Sequence, residues 1–353
     1  MSKYTPFLKF KTCEIAALKA LEDDEISSIT PFFDLATKKD IKASDIEKTI
    51  TKGVRKYELN FKKAEGFYID DYDIDDSIRI NGDIVYNFLI SEFAGLPYIP
   101  VVGLDRTPVR VKSLENPLIS SDTMALRLSY DDFLSYTLSK DDIDELLEPL
   151  ILGTEPKYEK IHLILDLRVC NKIDVHNVSS SLIKFIQAIV EDYSFEKIII
   201  AGSSIPASIA DILPVTSEKT LTRNECRVFE IVNHELGDSV EIGDYTTISP
   251  EYSDVSIPPA ALRKIMTPKV IYAYDDKQYF VRGGALETHK RGNKQYDDMC
   301  SSLVKETYFR GATYSIGDEY IADKAKGLGK DAQPNSISKY LINSHLTYMI
   351  IDY

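Results

Sequence analysis

In the run Lys160-Ile-His-Leu-Ile-Leu-Asp-Leu-Arg168, His162, Ile164, Asp166 and Arg168 share one parity, and Leu163, Leu165 and Leu167 share the other. An extended chain turns alternate side chains to opposite faces, so the leucines take one side and the polar groups the other. The same alternation sets Lys9 and Lys11 opposite Leu8 and Phe10, Tyr68 and Asp70 opposite Phe67 and Ile69, and Arg127 opposite Leu126 and Leu128. These residue types suit two kinds of chemistry. Asp166 or Asp70 could act as general base or metal ligand while Lys11, Arg127 and Arg168 stabilise charge developing in a transition state. Alternatively the set forms an interior ion-pair network, since charged groups are rarely buried unless paired.

A second group of residues could hold an anion. Gly202-Ser203-Ser204 follows the run Ile198-Ile-Ile-Ala201, and Gly243-Asp244-Tyr245 follows Val240–Ile242. Small residues expose backbone N–H groups, and in parallel barrels the loops after the seventh and eighth strands bind phosphate. Gly202, Ser203, Ser204, Gly243 and Tyr245 are therefore candidates, with Lys9 and Arg282 as further cations; an ordinary tight turn is the plainer reading. Asp244 shares parity with Val240 and Ile242, so simple alternation does not place it inward. There is no Walker pattern to support a nucleotide fold. Asp70-Asp-Tyr-Asp-Ile-Asp-Asp76 resembles the start of a calcium loop, but Asp76 stands where Gly is needed and Gly82 where Glu is needed, which favours a solvated acidic loop. The histidines show no metal spacing and no cysteine pair has CxxC spacing, so no metal site is expected, the thiols read as buried and structural, and the cofactor is left unknown.

Positioning these residues requires strands that alternate with helices. Strand-like runs lie at Phe7–Lys11, Ile26–Phe33, Gly66–Ile69, Tyr98–Val102, Thr123–Ser129, Lys160–Arg168, Lys197–Ala201 and Val240–Ile242. Helical patterns fall between them, as at Asp45–Tyr57, Ser179–Glu191 and Arg223–Leu236. Eight such repeats over about 250 residues match a TIM-like (β/α)8 barrel, an α/β fold. An open doubly wound sheet would need a glycine fingerprint after its first strand, and Lys11-Thr-Cys-Glu14 supplies none. Pro250, Pro258 and Pro259 mark a boundary near residue 250. Residues 1–250 are thus expected to form the barrel. Residues 251–353 are expected to form an extension with a β-hairpin at 270–282 and docking helices, among them Ile337–Ile350.

The chain has 353 residues and a formal net charge of −14, which argues against broad nucleic-acid binding. It has no apolar run long enough to span a bilayer and no signal-peptide core at its start, so a cytoplasmic protein without membrane association is expected.

Several segments, in order and along nearly the full length, resemble the beta family of prophage and satellite-phage proteins. They are Tyr4-Thr-Pro-Phe-Leu-Lys-Phe-Lys11 with Glu14, Gly95-Leu-Pro-Tyr-Ile-Pro-Val101, Ala201-Gly-Ser-Ser-Ile-Pro206, Arg223-Asn-Glu225, Gly243-Asp-Tyr245, Tyr279-Phe-Val-Arg-Gly-Gly284, and Ser315-Ile-Gly-Asp318 with Ile321. The tail departs from the family pattern, which has a Trp-Arg step and paired histidines. This chain has no Trp, and Asn343-Ser344-His345 keeps a single His. The resemblance implies phage exclusion or control of a toxic partner encoded by a small neighbouring gene. Three functions compete: a defence protein that binds a phosphorylated small molecule or a partner at the barrel mouth, a phosphodiester- or nucleotide-hydrolysing barrel enzyme, and an acidic protein that neutralises a basic toxin.

Overall fold

Eight parallel strands close on themselves in the order β1-β11-β9-β8-β7-β6-β3-β2. They are β1 (Tyr4–Lys9), β2 (Phe32–Asp34), β3 (Phe67–Asp70), β6 (Tyr98–Val102), β7 (Thr123–Ser129), β8 (Lys160–Val169), β9 (Lys197–Ser203) and β11 (Glu241–Asp244). The remaining strands, β4 (Arg79–Ile80), β5 (Asp83–Ile84), β10 (Ser217–Thr222), β12 (Lys269–Tyr274) and β13 (Lys277–Arg282), lie outside the barrel. This computed structural model describes residues 4–35, 37, 41–60, 66–152, 155–251 and 264–353. The chain is a TIM-like α/β barrel, as the alternation of strand and helix patterns predicts.

Side-chain parity divides the apolar residues between two layers. Phe7, Phe32, Tyr68, Val101, Ala125, Ile164, Ile199, Ala201 and Tyr245 fill the lumen. Leu8, Phe33, Ile69, Leu126, Leu163, Leu165 and Ile200 belong to the outer cluster that the surrounding helices cover. A one-residue slip in any strand would exchange the two sets, so both layers fix the register.

Two strands differ most from the sequence reading. β1 ends at Lys9, because the Lys11 amide turns back onto the Lys9 carbonyl and Thr12 opens a helix. Within the expected strand Ile26–Phe33, only Phe32 and Phe33 lie in β2. Residues Asp23–Ser27 are helical, started by a capping box between Glu22 and Glu25.

Beyond the barrel, β12 and β13 form a hairpin, and β10 joins β13 to make a three-stranded antiparallel sheet. β10 belongs to the connection between β9 and the helix Asn224–Glu235, so that connection reaches out to the C-terminal hairpin. Val270, Tyr272, Tyr279 and Val281 build a separate apolar cluster with Met299, Leu303, Ile321 and Leu341. Pro258 and Pro259 lie outside the described residues. Among the described residues no helix is long and apolar enough to cross a membrane.

The last helix, Pro334–Ile351, docks on the barrel wall through Ile342, Leu346 and Met349. Its His345 reaches a buried carboxylate. Asp244 faces outward, as its parity predicts. There it pairs with Arg223, accepts from Tyr4 Oη at 2.8 Å and meets His345 Nε2 at 2.7 Å. Burial opposes the charge on Asp244, but His345, Arg223 and the Tyr4 hydroxyl overcome it and hold the carboxyl below the usual carboxylate range. A depressed acid contributes stability above its unfolded pKa, near 4, and loses it as pH falls through the folded value. Asp244→Ala should therefore cost on the order of 3 kcal/mol at neutral pH. The gap to wild type should narrow below about pH 4. Urea denaturation at the two pH values measures this, and hydrogen exchange should show residues 334–351 losing protection first.

Candidate functional site

The barrel mouth is built around one guanidinium. Arg127, at the end of β7, is about 3% exposed. Its Nη1 lies 2.8 Å from Asp34 Oδ1 and 2.8 Å from Asp70 Oδ2, and its Nη2 lies 2.7 Å from Asp166 Oδ2. Nη2 also donates to Tyr245 Oη at 2.9 Å, and Tyr245 donates to Asp166. β2, β3, β8 and the end of β11 thus each send a group to the arginine of β7. Burial works against the Arg127 charge, but Asp34, Tyr245, Asp166 and Asp70 hold its pKa well above the ordinary value. Burial opposes ionisation of Asp34 too, and Arg127, Lys9 and Arg168 overcome it and keep the carboxyl below its usual range. Burial raises the Tyr245 hydroxyl, which stays protonated and able to donate.

A second tier lies above this hub. Arg106 pairs with Asp70 at 2.9 Å, and Arg110 pairs with Asp71 at 2.9 Å. Lys9 Nζ reaches Asp73 at 3.1 Å and the Pro250 carbonyl at 3.3 Å. Arg168 Nη2 reaches the other oxygen of Asp73 at 3.4 Å and the same Pro250 carbonyl at 3.3 Å. The Tyr72 ring covers the centre, with the guanidinium carbons of Arg106, Arg127 and Arg168 at 4.9, 4.5 and 4.4 Å from its centroid. Such distances lie within cation–π range. Lys9, Arg106, Arg110, Arg127 and Arg168 face Asp34, Asp70, Asp71, Asp73 and Asp166, so the buried charge is nearly balanced.

Arg168 reaches this tier through a distortion. Between Asp166↔Ala201 and Val169↔Ser203, β8 holds one residue more than β9, which is a β-bulge. Arg168 sits in that bulge at φ +52°, a left-handed conformation unusual for a residue with a side chain. Its Nη1 is buried and has no hydrogen-bond partner among the described residues. Asp166 and Arg168, neighbours by parity in the sequence, do not pair through their side chains. Asp166 accepts from the Arg168 backbone N–H at 2.9 Å, while the guanidinium turns to Asp73.

Other sequence candidates stand elsewhere. Lys11 is exposed beyond the end of β1, beside Lys48, Lys52 and Lys56 on the outer wall, because the strand stops two residues earlier than its alternation suggests. Ser203 and Ser204 are buried and engaged internally. Ser203 Oγ donates to the Ile248 carbonyl, and Ser204 Oγ donates to Glu225 Oε2 at 2.6 Å and accepts from the Asn224 N–H. A Cβ on Gly202 would stand 3.2 Å from the Glu225 Cβ, and one on Gly243 would stand 2.8 Å from the Phe7 ring. These glycines serve close packing, so the expected phosphate cradle lacks open hydroxyls. Arg282 binds Thr267 Oγ1 and the Leu213 carbonyl at the C-terminal sheet. At the deep end of the lumen Tyr68 Oη meets His162 Nδ1 at 2.6 Å, and burial pushes the His162 pKa down to about 4.

Sequence reasoning missed Asp34, Arg106, Arg110 and Tyr72 as members of the site. Asp34 was readable as the polar residue closing a short apolar strand. Arg106 and Arg110 lie after β6 without alternation to mark them. The acidic loop is only partly solvated, since Asp70 and Asp71 are buried. Among the described residues no group of three or more His, Cys, Asp and Glu is placed to hold a metal ion.

Fold and site together define a (β/α)8 barrel protein with an arginine-centred, ion-paired mouth. The chain belongs to the Beta protein family, whose model matches residues 4–351. No curated protein matches it.

Arg127→Met would leave three buried carboxylates facing one another. Removing one partner of a buried pair typically costs about 3–5 kcal/mol, so this variant should lose at least that much. Combining it with Asp34→Asn and Asp166→Asn should recover a large part, as measured by urea denaturation. Asp34 is held below its unfolded pKa, so wild-type stability should be full above about pH 4 and fall with further acidification.

Proposed function

We propose that the barrel mouth binds an anionic, phosphate-bearing small molecule, and that occupancy of the mouth governs a partner protein in phage exclusion. The observation that carries this reading is the sharing of Asp73 and the Pro250 carbonyl by Lys9 and Arg168. Two cations from opposite sides of the mouth converge on one carboxylate supplied by a loop. A phosphate group offers the same acceptors with more charge, and it fits the buried unpartnered Nη1 of Arg168. Displacing Asp73 would move the loop that carries Tyr72, which gives a partner a surface to read.

The resemblance to prophage and satellite-phage proteins supplies the biological setting, with a co-encoded small protein as partner and the cytoplasm as location. The net charge of −14 suits a basic partner. Hydrolysis is the weaker reading. Asp166 and Asp70 are both engaged by Arg127 at under 3 Å, whereas a general base must lie within hydrogen-bond reach of the substrate proton that it abstracts.

Asp73→Asn removes the internal anion and leaves Lys9 and Arg168 in place. It should bind inorganic phosphate or a nucleotide about tenfold more tightly than wild type, the size expected for a charge-assisted contact no longer in competition. Arg168→Gln should abolish binding in both backgrounds. Calorimetric titration with phosphate, pyrophosphate, ADP and cyclic nucleotides measures it. Equal affinities for wild type and Asp73→Asn would remove the competition on which the reading stands.

A further inference from the structure

The acidic loop after β3 and the segment after β6 enclose a cavity of about 520 Å³ beside the mouth. Small-molecule sites span roughly 300–1,000 Å³, so the size suits a ligand. Tyr72 and Arg106 belong to both places. They line the cavity, and at the mouth the Tyr72 ring lies against the guanidinium carbons of Arg168 and Arg106, at 4.4 and 4.9 Å. Thr107 Oγ1 donates to Asp76 and ties the two walls together.

Two buried polar atoms of the lining residues have no hydrogen-bond partner among the described residues. Asp71 accepts from Arg110 with Oδ1, and its Oδ2 is unserved. Arg106 donates to Asp105 with Nη1 and to Asp70 with Nη2, and its Nε is unserved. The Asp71 side chain is 3% exposed and that of Arg106 7%. A buried donor or acceptor left unsatisfied costs stability, so each such atom calls for a partner that the fold does not supply. Burial raises the Asp71 carboxyl despite the pull of Arg110, which agrees with an oxygen that no donor serves.

The rest of the lining limits what that partner can be. Asp75, Asp76 and Asp105 line the same cavity, so a second phosphate would meet carboxylates there. Ribose hydroxyls would instead donate to them, as they do to the acidic residue of dinucleotide folds. Ile74, Ile84 and Val109 supply an apolar wall and Tyr72 an aromatic one. An unstacked nucleobase is held in this way, by hydrogen bonds to its pairing edge and by aromatic or apolar contact with its faces. That edge carries a donor beside an acceptor, which matches Asp71 Oδ2 and Arg106 Nε.

We infer that the anion taken by the mouth is a nucleotide, and that its base enters this cavity with its edge on Asp71 and Arg106. The inference rests on the phosphate reading of the mouth and adds the class of ligand.

Calorimetric titration of the full chain should compare inorganic phosphate, ribose 5-phosphate and the four nucleoside monophosphates. At least one nucleotide should bind about tenfold or more tightly than phosphate and ribose 5-phosphate, the gain expected from hydrogen bonds to charged groups. Val109 is 56% exposed, so Val109→Phe should fold normally and keep phosphate binding, while the narrowed cavity loses the preference for the nucleotide. Arg106→Lys keeps a charge facing Asp70 without Nε, and should lower the ratio of nucleotide to phosphate affinity. Arg168→Gln should weaken every ligand alike. Phosphate that binds and is lost in Arg168→Gln, with no nucleotide binding more tightly than it, would overturn the base site and leave the mouth reading standing. A nucleotide preference that survives Val109→Phe undiminished would overturn it as well. Failure of phosphate and of every nucleotide to bind would overturn the mouth reading and this inference together.

Discussion

A guanidinium inside a protein must be neutralised where it sits, and that requirement organises this barrel. Arg127 is taken out of water at the top of β7, so carboxylates must come to it from the other strands. Asp34, Asp70 and Asp166 do so, from β2, β3 and β8. Asp34 and Asp70 close their strands and Asp166 stands at the edge of the β8 bulge, each immediately above the apolar filling of Phe32, Tyr68 and Ile164. The network therefore ties together strands that are distant around the barrel as well as those that are adjacent. One guanidinium does not balance three carboxylates, so Lys9 also pairs with Asp34 and Arg106 with Asp70, while the loop after β3 adds Asp73 between Lys9 and Arg168.

The same alternation produces a second charged cluster on the opposite side of the wall. Asp244 and Tyr245 are consecutive, and they serve different structures. Tyr245 points into the lumen and donates to Asp166, while Asp244 points outward to Arg223 and His345. One turn after β11 thus couples the mouth to the C-terminal helix. Glu225 extends the outer cluster to Ser204, which follows β9. The serines that look like a phosphate loop are part of how the C-terminal region is fastened to the barrel.

The barrel was legible in the sequence because each strand is short and bounded, and period-two alternation survives without knowledge of neighbours. Lys9, Asp70, Arg127 and Asp166 face the lumen for that reason. Lys11 obeys the same parity and still lies outside, since alternation cannot tell where a strand stops. Arg168 reaches the mouth by a bulge and a left-handed backbone, which leave no trace in residue type. β10 was invisible for a different reason: Ser217-Glu-Lys-Thr-Leu-Thr222 is largely exposed and polar, and it becomes a strand only by pairing with a hairpin some 60 residues later. Ser203 and Ser204 show the limit of composition, because small polar residues suit a ligand cradle and a buried hydrogen-bond anchor equally well.

The chain contains no tryptophan, so Tyr72→Trp would place a single reporter beside Arg106, Arg127 and Arg168. Its fluorescence should change saturably as a phosphate-bearing ligand displaces Asp73. The change should disappear when Lys9→Met and Arg168→Gln are added. An emission spectrum that stays constant across phosphate, pyrophosphate, nucleotides and cyclic nucleotides would contradict the account of the mouth as an anion-responsive site.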